Sequence, residues 1–171
     1  MNSDAFHDPR LQKLSELLKG IEYAMLTTRE ADGTLHSRPM RTETLQHDGT
    51  LVFFTQQNSA KARELEANPQ VSLSYMGPGA ATCVCIAGRA RLRQDSAKMN
   101  ALWNPLYKVW FPKGLEDPDL TLLEVTIDRA EYWQTPSNVV TRVFGAAQAL
   151  AKGEPIADQV GSHERMTLRG S

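Results

Sequence analysis

Two basic segments carry the side chains best suited to chemistry in this chain: "HSRPMR" (36–41) and "NSAKARELEANP" (58–69). In the second, Asn58 or Ser59 is a natural helix N-cap, since either side chain accepts a hydrogen bond from a free first-turn amide. A helix N-terminus carries roughly half a positive charge and favours Asp or Glu. Lys61 and Arg63 stand there instead, with Glu64 and Glu66 following. On a solvated surface such a cation costs only about 0.3–1 kcal/mol, so an ordinary exposed helix is one reading. The other is a bound anion: a phosphate accepts the orphan amides, and Lys61 adds a point charge to it. Arg38 and Arg41 add positive charge from a neighbouring strand. Pro39 lies between them, and a proline inside a strand is tolerated at a sheet edge or where the strand faces a ligand. Pairing 35–43 with 50–55 across "HDGT" (47–50) brings Arg38 towards the start of the 58–67 helix, so that Arg38 and Lys61 reach one phosphate. The apolar "FFT" (53–55) beside them is suited to covering a flat ring.

Such a site needs a scaffold, and the composition admits one. The chain has 171 residues, 41% of them hydrophobic and 23% charged, with a formal net charge of -1. Its length suits a single domain with a sizeable core. The near-neutral charge gives no electrostatic reason to expect nucleic acid or an anionic membrane as partner. No apolar run approaches the roughly 20 residues of a membrane span. The N-terminus lacks the basic-then-apolar layout of a secretory leader, so a cytoplasmic location is the expectation. Cys83 and Cys85, the only two cysteines, are read as buried reduced thiols, because near neighbours on an extended chain bridge poorly. His7, His36, His47 and His163 show no zinc spacing, and no metal is assigned.

The pattern along the chain is mostly β. Leu11, Leu14, Leu17 and Leu18 repeat at helical spacing and Gly20 ends the repeat. Strands are expected at 23–28, 35–43, 51–55, 70–76, 82–94 and 120–134. Asp-Gly turns at 31–34 and 47–50 point to an antiparallel meander. Gly88 suggests a bulge within the long 82–94 strand. Arg89, Arg91 and Arg93 share one face there, which fits a solvated face or ion pairs better than a nucleic-acid surface. Helices are expected at 58–67, 95–103 and about 138–151, with Asp95 or Ser96 capping the second. The aromatic, Pro-rich 104–120 reads as an ordered loop or broken helix, and the polar C-terminal tail as loosely ordered. Six strands with inserted helices make a small antiparallel barrel with helical decoration. The alternation and the G-x-G-x-x-G of a dinucleotide-binding sheet are missing.

These motifs resemble a known family. The order "SRPM", "VFFT", then Ser-x-Lys opening a helix that ends in "NP", is similar to the FMN-binding split barrels related to pyridoxamine 5'-phosphate oxidase. The insert "LWNPLYKVWFPKGLEDPDLTLLEVTIDRAEYW" (102–133) resembles the general stress protein 26 branch, and the resemblance covers about residues 9–151. It implies a homodimer with two flavin sites at the interface. By motif, Arg38 and Lys61 would hold the FMN phosphate with Ser59 and the helix amides. Arg38, Pro39, Met40, Arg41 and Thr42 would line the isoalloxazine, with Phe54 and Thr55 on the next strand. Trp133 would approach the flavin from the partner protomer; a core tryptophan is the competing reading. Trp103, Tyr107, Trp110 and Phe111 are candidates for interface, for a lid over the flavin, or for core. Two departures matter. Ala60 stands where the oxidase has an Arg, and the oxidase's C-terminal Arg-x-His-Asp-Arg segment has no counterpart after Trp133. The resemblance therefore implies an FMN protein (FAD being the other flavin it admits) that is not a vitamin B6 oxidase. Its role is either a flavin-dependent oxidoreductase in stress response, with a small-molecule redox partner, or flavin binding and storage without turnover. Haem or a deazaflavin in the same barrel is the third possibility.

Overall fold

Leucine spacing starts the fold. Helix α1, Pro9–Leu18, buries Leu11, Leu14, Leu17 and Leu18, and the Asp8 side chain caps it by accepting from the Arg10 amide. The computed structural model describes residues 6–77, 82–134 and 162–168. Strands follow as β1 Tyr23–Arg29, β2 Leu35–Arg41, β3 Thr44–Leu45, β4 Thr50–Gln56, β5 Gln70–Met76, β6 Thr82–Arg93, β7 Leu120–Gln134 and β8 Ser162–Thr167. Between them lie α2 Ala60–Ala67, α3 Ser96–Leu102 and two 3-10 turns, Pro105–Val109 and Gly114–Glu116. The two turns match the ordered, broken character expected of 104–120. The helix expected at 138–151 lies outside the described residues.

All pairings are antiparallel, in the order β2-β1-β5-β6-β7-β4-β3, with β8 added on β7. The mainly β class holds, but the sheet has eight strands where six are expected. One addition is the two-residue β3. The other is β8, formed by residues 162–167 of the tail that reads as loosely ordered. Its polar sequence carries a weak strand signal; the pairing with β7 and burial of Met166 hold it.

One expected pairing is corrected. The 35–43 strand does not pair with 50–55 across "HDGT". β2 ends at Arg41 and pairs with β1, while the hairpin partner of β4 is β3. Thr42 and Glu43 alone join β2 at one edge to β3 at the opposite edge, and their amides bond to the Glu22 and Val52 carbonyls. So short a link between opposite edges forces the sheet to curl. Pro39 accordingly sits on an edge strand, where a missing ladder donor is tolerated.

The curl encloses a main core of Leu14, Leu26, Phe53, Leu73, Ile86, Leu123 and their neighbours. A second cluster, Val52, Phe54, Met99, Tyr107, Leu120 and Leu122, lies under α3 and the aromatic insert. β4 is buried on both faces because Leu51 and Phe53 enter the first core while Val52 and Phe54 enter the second. That is why it reads as an unbroken apolar run.

Gly88 marks the expected bulge: the β6–β7 register shifts between Ala87 and Gly88. A Cβ there would lie 2.3 Å from the Thr126 carbonyl oxygen, a backbone atom that cannot step aside. Gly88→Ala is therefore expected to cost about 3 kcal/mol or more, at the top of the overpacking range. Urea denaturation should show the lowered midpoint; an unchanged midpoint would mean the β6–β7 crossing is looser than described.

Candidate functional site

The link that curls the sheet also builds a cavity. Pro39, Met40 and Arg41 from β2 and Glu43 from the link form one side, with Phe54, Thr55 and Gln56 of β4 beside them. Lys61 of α2, Tyr23, and the insert residues Tyr107, Trp110 and Phe111 complete it, around a volume of about 230 Å³. Aromatic rings give the cavity flat apolar walls. Phe54 lies 5.5 Å from Trp103, edge-on, and 5.7 Å from Tyr107. The 102–111 aromatics thus share two roles: Trp103, Tyr107 and Phe111 pack the second core, while Tyr107, Trp110 and Phe111 line the cavity.

Ser59 caps α2, accepting from the Ala62 amide at 3.4 Å and donating to the Gln56 carbonyl at 2.7 Å. The cap places Lys61 in the first turn, pointing back at β4. Lys61 Nζ donates to Thr55 Oγ1 at 3.0 Å. Among the described residues no carboxylate oxygen lies within 4 Å of it. Burial depresses its pKa, and the positive charge of Arg38 adds to that, against a smaller pull from Glu64. Arg63, the other first-turn cation, turns away and donates to the Asn58 carbonyl at 3.0 Å.

Arg38 stands near enough to Lys61 to repel its charge, but it is held by other groups. Its guanidinium pairs with Glu64 Oε2 at 2.9 Å and also donates to Thr28 Oγ1, which itself donates to Glu64. Glu64 is the counter-ion that local reading leaves unassigned. Burial raises its pKa, but the hydrogen bonds from Thr28 and Arg38 outweigh this and hold it below the ordinary value.

The structure gathers Pro39, Met40, Arg41, Phe54, Thr55 and Lys61 around one cavity, with Arg38 and Ser59 next to it. Thr42 is buried and bonds to the Tyr75 hydroxyl at 2.8 Å. Trp133 lies away from that cavity, exposed on β7 and stacked on His163 with centroids 4.8 Å apart and planes 6° from parallel. Arg41 Nε is buried with no hydrogen-bond partner among the described residues, and the guanidinium lies 5.0 Å over the Tyr107 ring. An under-compensated lysine and an orphan guanidine N–H in one aromatic-walled cavity suit an anionic, flat ligand carrying hydrogen-bond acceptors.

The remaining expected sites are structural. Cys83 and Cys85 are free thiols as expected, though half-buried, because alternate residues of β6 leave the interior at that end. Arg89 pairs with Asp128, and Arg91 and Arg93 with Glu124, so the basic strand face is an ion-pair lattice. No helix among the described residues is long and apolar enough to cross a membrane.

A curled antiparallel sheet with an anion-suited, aromatic-walled cavity at its seam defines a small ligand-binding barrel. The chain belongs to the family described as pyridoxamine 5'-phosphate oxidase like, whose model matches residues 9–157. Its fold is the split barrel of the general stress proteins. It is similar to a general stress FMN/FAD binding protein from Xanthomonas citri: 30% identity, TM-score 0.66, covering 77% of this chain and 94% of that one. The general stress protein 26 of Bacillus anthracis is similar at 26% identity and TM-score 0.64, covering 73% and 94%. Among curated proteins, "Protein bli-3" of Neurospora crassa is 27% identical over 158 residues, 86% of this chain and 76% of that protein.

Proposed function

We propose that this protein binds FMN, with FAD as an alternative flavin, and serves as a flavin-dependent oxidoreductase in stress response that does not oxidise vitamin B6. The observation that carries the reading is Lys61: half-buried on an aromatic-walled cavity, with a hydroxyl but, among the described residues, no carboxylate within ion-pair distance. A flavin phosphate compensates that charge and takes the first-turn amides of α2, while Phe54, Trp110 and Phe111 offer surface to its ring. Arg41 Nε supplies a donor to a ring acceptor. The name of the Xanthomonas citri relative supports a flavin as the ligand. A bound flavin supplies hydride or electron transfer, and the chain's residues bind, orient and shield it.

The same reading includes a homodimer. A cavity of about 230 Å³ falls below the roughly 300–1,000 Å³ of enclosed ligand sites, which supports a second surface completing it. Tyr23, Met25, Met76 and Trp133 are large, apolar and exposed. Met25 stands opposite Pro39 and Ser74, and Met76 opposite Cys83, whose other partner is Trp133. Burying that outer sheet face against its twofold copy removes the apolar exposure and brings partner residues to the cavity.

Incubation with FMN should yield a yellow protein with quenched flavin fluorescence at micromolar ligand, and sedimentation should give the mass of two chains. Met25→Lys is expected to shift the mass towards one chain and to weaken FMN binding together with it. A one-chain mass for the wild type with full FMN affinity would remove the shared-site arrangement. The second reading, flavin storage without turnover, is favoured by the missing substrate segment after Trp133. Anaerobic mixing with NADH or NADPH separates them: bleaching of the bound flavin means turnover, and an unchanged spectrum means storage.

A further inference from the structure

Local sequence reading finds no acid–base pair, yet the fold makes one in the same cavity. Glu43 and Tyr107 are 64 positions apart, and the Tyr107 hydroxyl donates to Glu43 Oε2 at 2.5 Å. Both line the cavity beside Arg41, Lys61 and the aromatic wall. Glu43 lies in the two-residue link between β2 and β3, where its backbone is pinned to Val52. Tyr107 is buried and fixed against Phe54 and Trp103. Among the described residues, several ionisable groups face the carboxyl, and Tyr23 of β1 lines the same cavity. Arg41 of β2 lies over the Tyr107 ring and reaches Glu22 at 3.8 Å, Glu22 adds a like charge, Tyr107 comes from the insert, and Lys61 of α2 shares the cavity.

We propose that Glu43, gripped by Tyr107 and backed by Arg41, is the acid–base group of this cavity: it takes up one proton when a flat ligand closes over it and returns that proton to a ligand heteroatom. The inference rests on the flavin reading. In the uptake step a solvent proton forms the O–H bond on Glu43, and no electron moves. In the return step that bond breaks as a bond to the ligand heteroatom forms, leaving the carboxylate.

The physical cause is desolvation. Burial already raises the Glu43 pKa, against the lowering effects of the Tyr107 hydrogen bond and the Arg41 charge, with Glu22 raising it further. Covering the open side with an aromatic ring removes the remaining water and favours the neutral acid more strongly. Burial likewise pushes Tyr107 up to about 12, helped by Glu43, so Tyr107 holds its own proton and acts by positioning the carboxyl.

FMN is the probe, with calorimetry in two buffers of different ionisation enthalpy at matched pH. Wild-type protein is expected to take up as much as one proton per FMN in a window above pH 4.5, the ordinary Glu value. Its affinity should fall by up to about tenfold per pH unit as pH rises through that window. Glu43→Gln removes this component and leaves the titration of the FMN phosphate, which both proteins share. Tyr107→Phe keeps the ring packing but loses the hydrogen bond that lowers the Glu43 pKa, so it moves the window upward. Equal proton uptake by wild type and both variants, with FMN bound, overturns the inference alone. Absence of FMN binding by the wild type at every pH overturns the flavin reading, and this inference with it.

Discussion

Lys61→Met is expected to weaken FMN binding about a hundredfold while leaving the thermal midpoint unchanged or slightly raised. Methionine keeps the unbranched stem, so Ala62 and Leu65 on the same short helix keep their packing. What disappears is a half-buried charge whose nearest partner is the neutral Thr55 hydroxyl. In the free protein that charge is a burden, because burial and the nearby Arg38 charge both disfavour it. With a phosphate in place it becomes one half of a partly desolvated ion pair, and losing such a partner costs about 2–5 kcal/mol. Taking the lower half of that range, about 2.7 kcal/mol, gives the factor of a hundred. Arg38→Met should behave in the opposite way. It strips Glu64 of its counter-ion, so it lowers stability more and affinity less. Fluorescence titration and thermal melts on the two variants distinguish the roles, and wild-type affinity in Lys61→Met would remove the phosphate from this end of the cavity.

That contrast also shows what local sequence carries. Helix and strand periodicity, Asp-Gly turns, the Ser59 cap and the Gly88 bulge are encoded within a few residues, and they agree with the structure. The cation at the wrong end of a helix was likewise legible, because it conflicts with a local electrostatic rule. Pairings between distant segments were not. Nothing near residue 41 says that the chain leaves one edge of the sheet and joins the other two residues later, so local pattern pairs 35–43 with 50–55. The Arg38–Glu64 pair and the Glu43–Tyr107 hydrogen bond join groups 26 and 64 positions apart. Their residue types look like ordinary solvated side chains until the fold brings them together. β8 is illegible for a related reason: "SHERMT" alternates weakly, and its order comes from the long β7 strand that it joins.

The wall of the cavity depends on a second charge cluster, well away from the ligand. Glu124 of β7 is 1% exposed. It accepts from Lys98 at 2.6 Å and from Arg91 at 2.9 Å, with Arg93 at 3.9 Å. Lys98 belongs to α3 and also donates to Gln46 at 3.2 Å, tying that helix to the β3–β4 turn. α3 in turn delivers Met99 and Trp103 to the core beneath Tyr107. Glu124→Gln keeps the shape of the side chain but leaves Lys98 and Arg91 without their charge partner, while Arg93 keeps Asp95 at 3.7 Å. Arg91 is 62% exposed and loses little, whereas Lys98 is only 21% exposed. The cost is therefore expected at the low end for breaking a buried pair, about 3 kcal/mol. For a chain of this size that lowers the thermal midpoint by roughly 6–12 °C. The pH dependence has a definite sign. Burial raises the Glu124 pKa, but hydrogen bonds from Lys98 and Arg91 outweigh it and hold the carboxyl below the ordinary 4.5. Its contribution is thus fully present above about pH 4.5 and is lost as pH falls through the lower folded value. Wild type and Glu124→Gln should differ most in midpoint above pH 5 and converge in acid. A gap that stays constant down to the acid limb would mean that Glu124 acts through packing alone. FMN affinity in the variant should fall by less than in Lys61→Met, because the cavity wall is loosened while its cation remains.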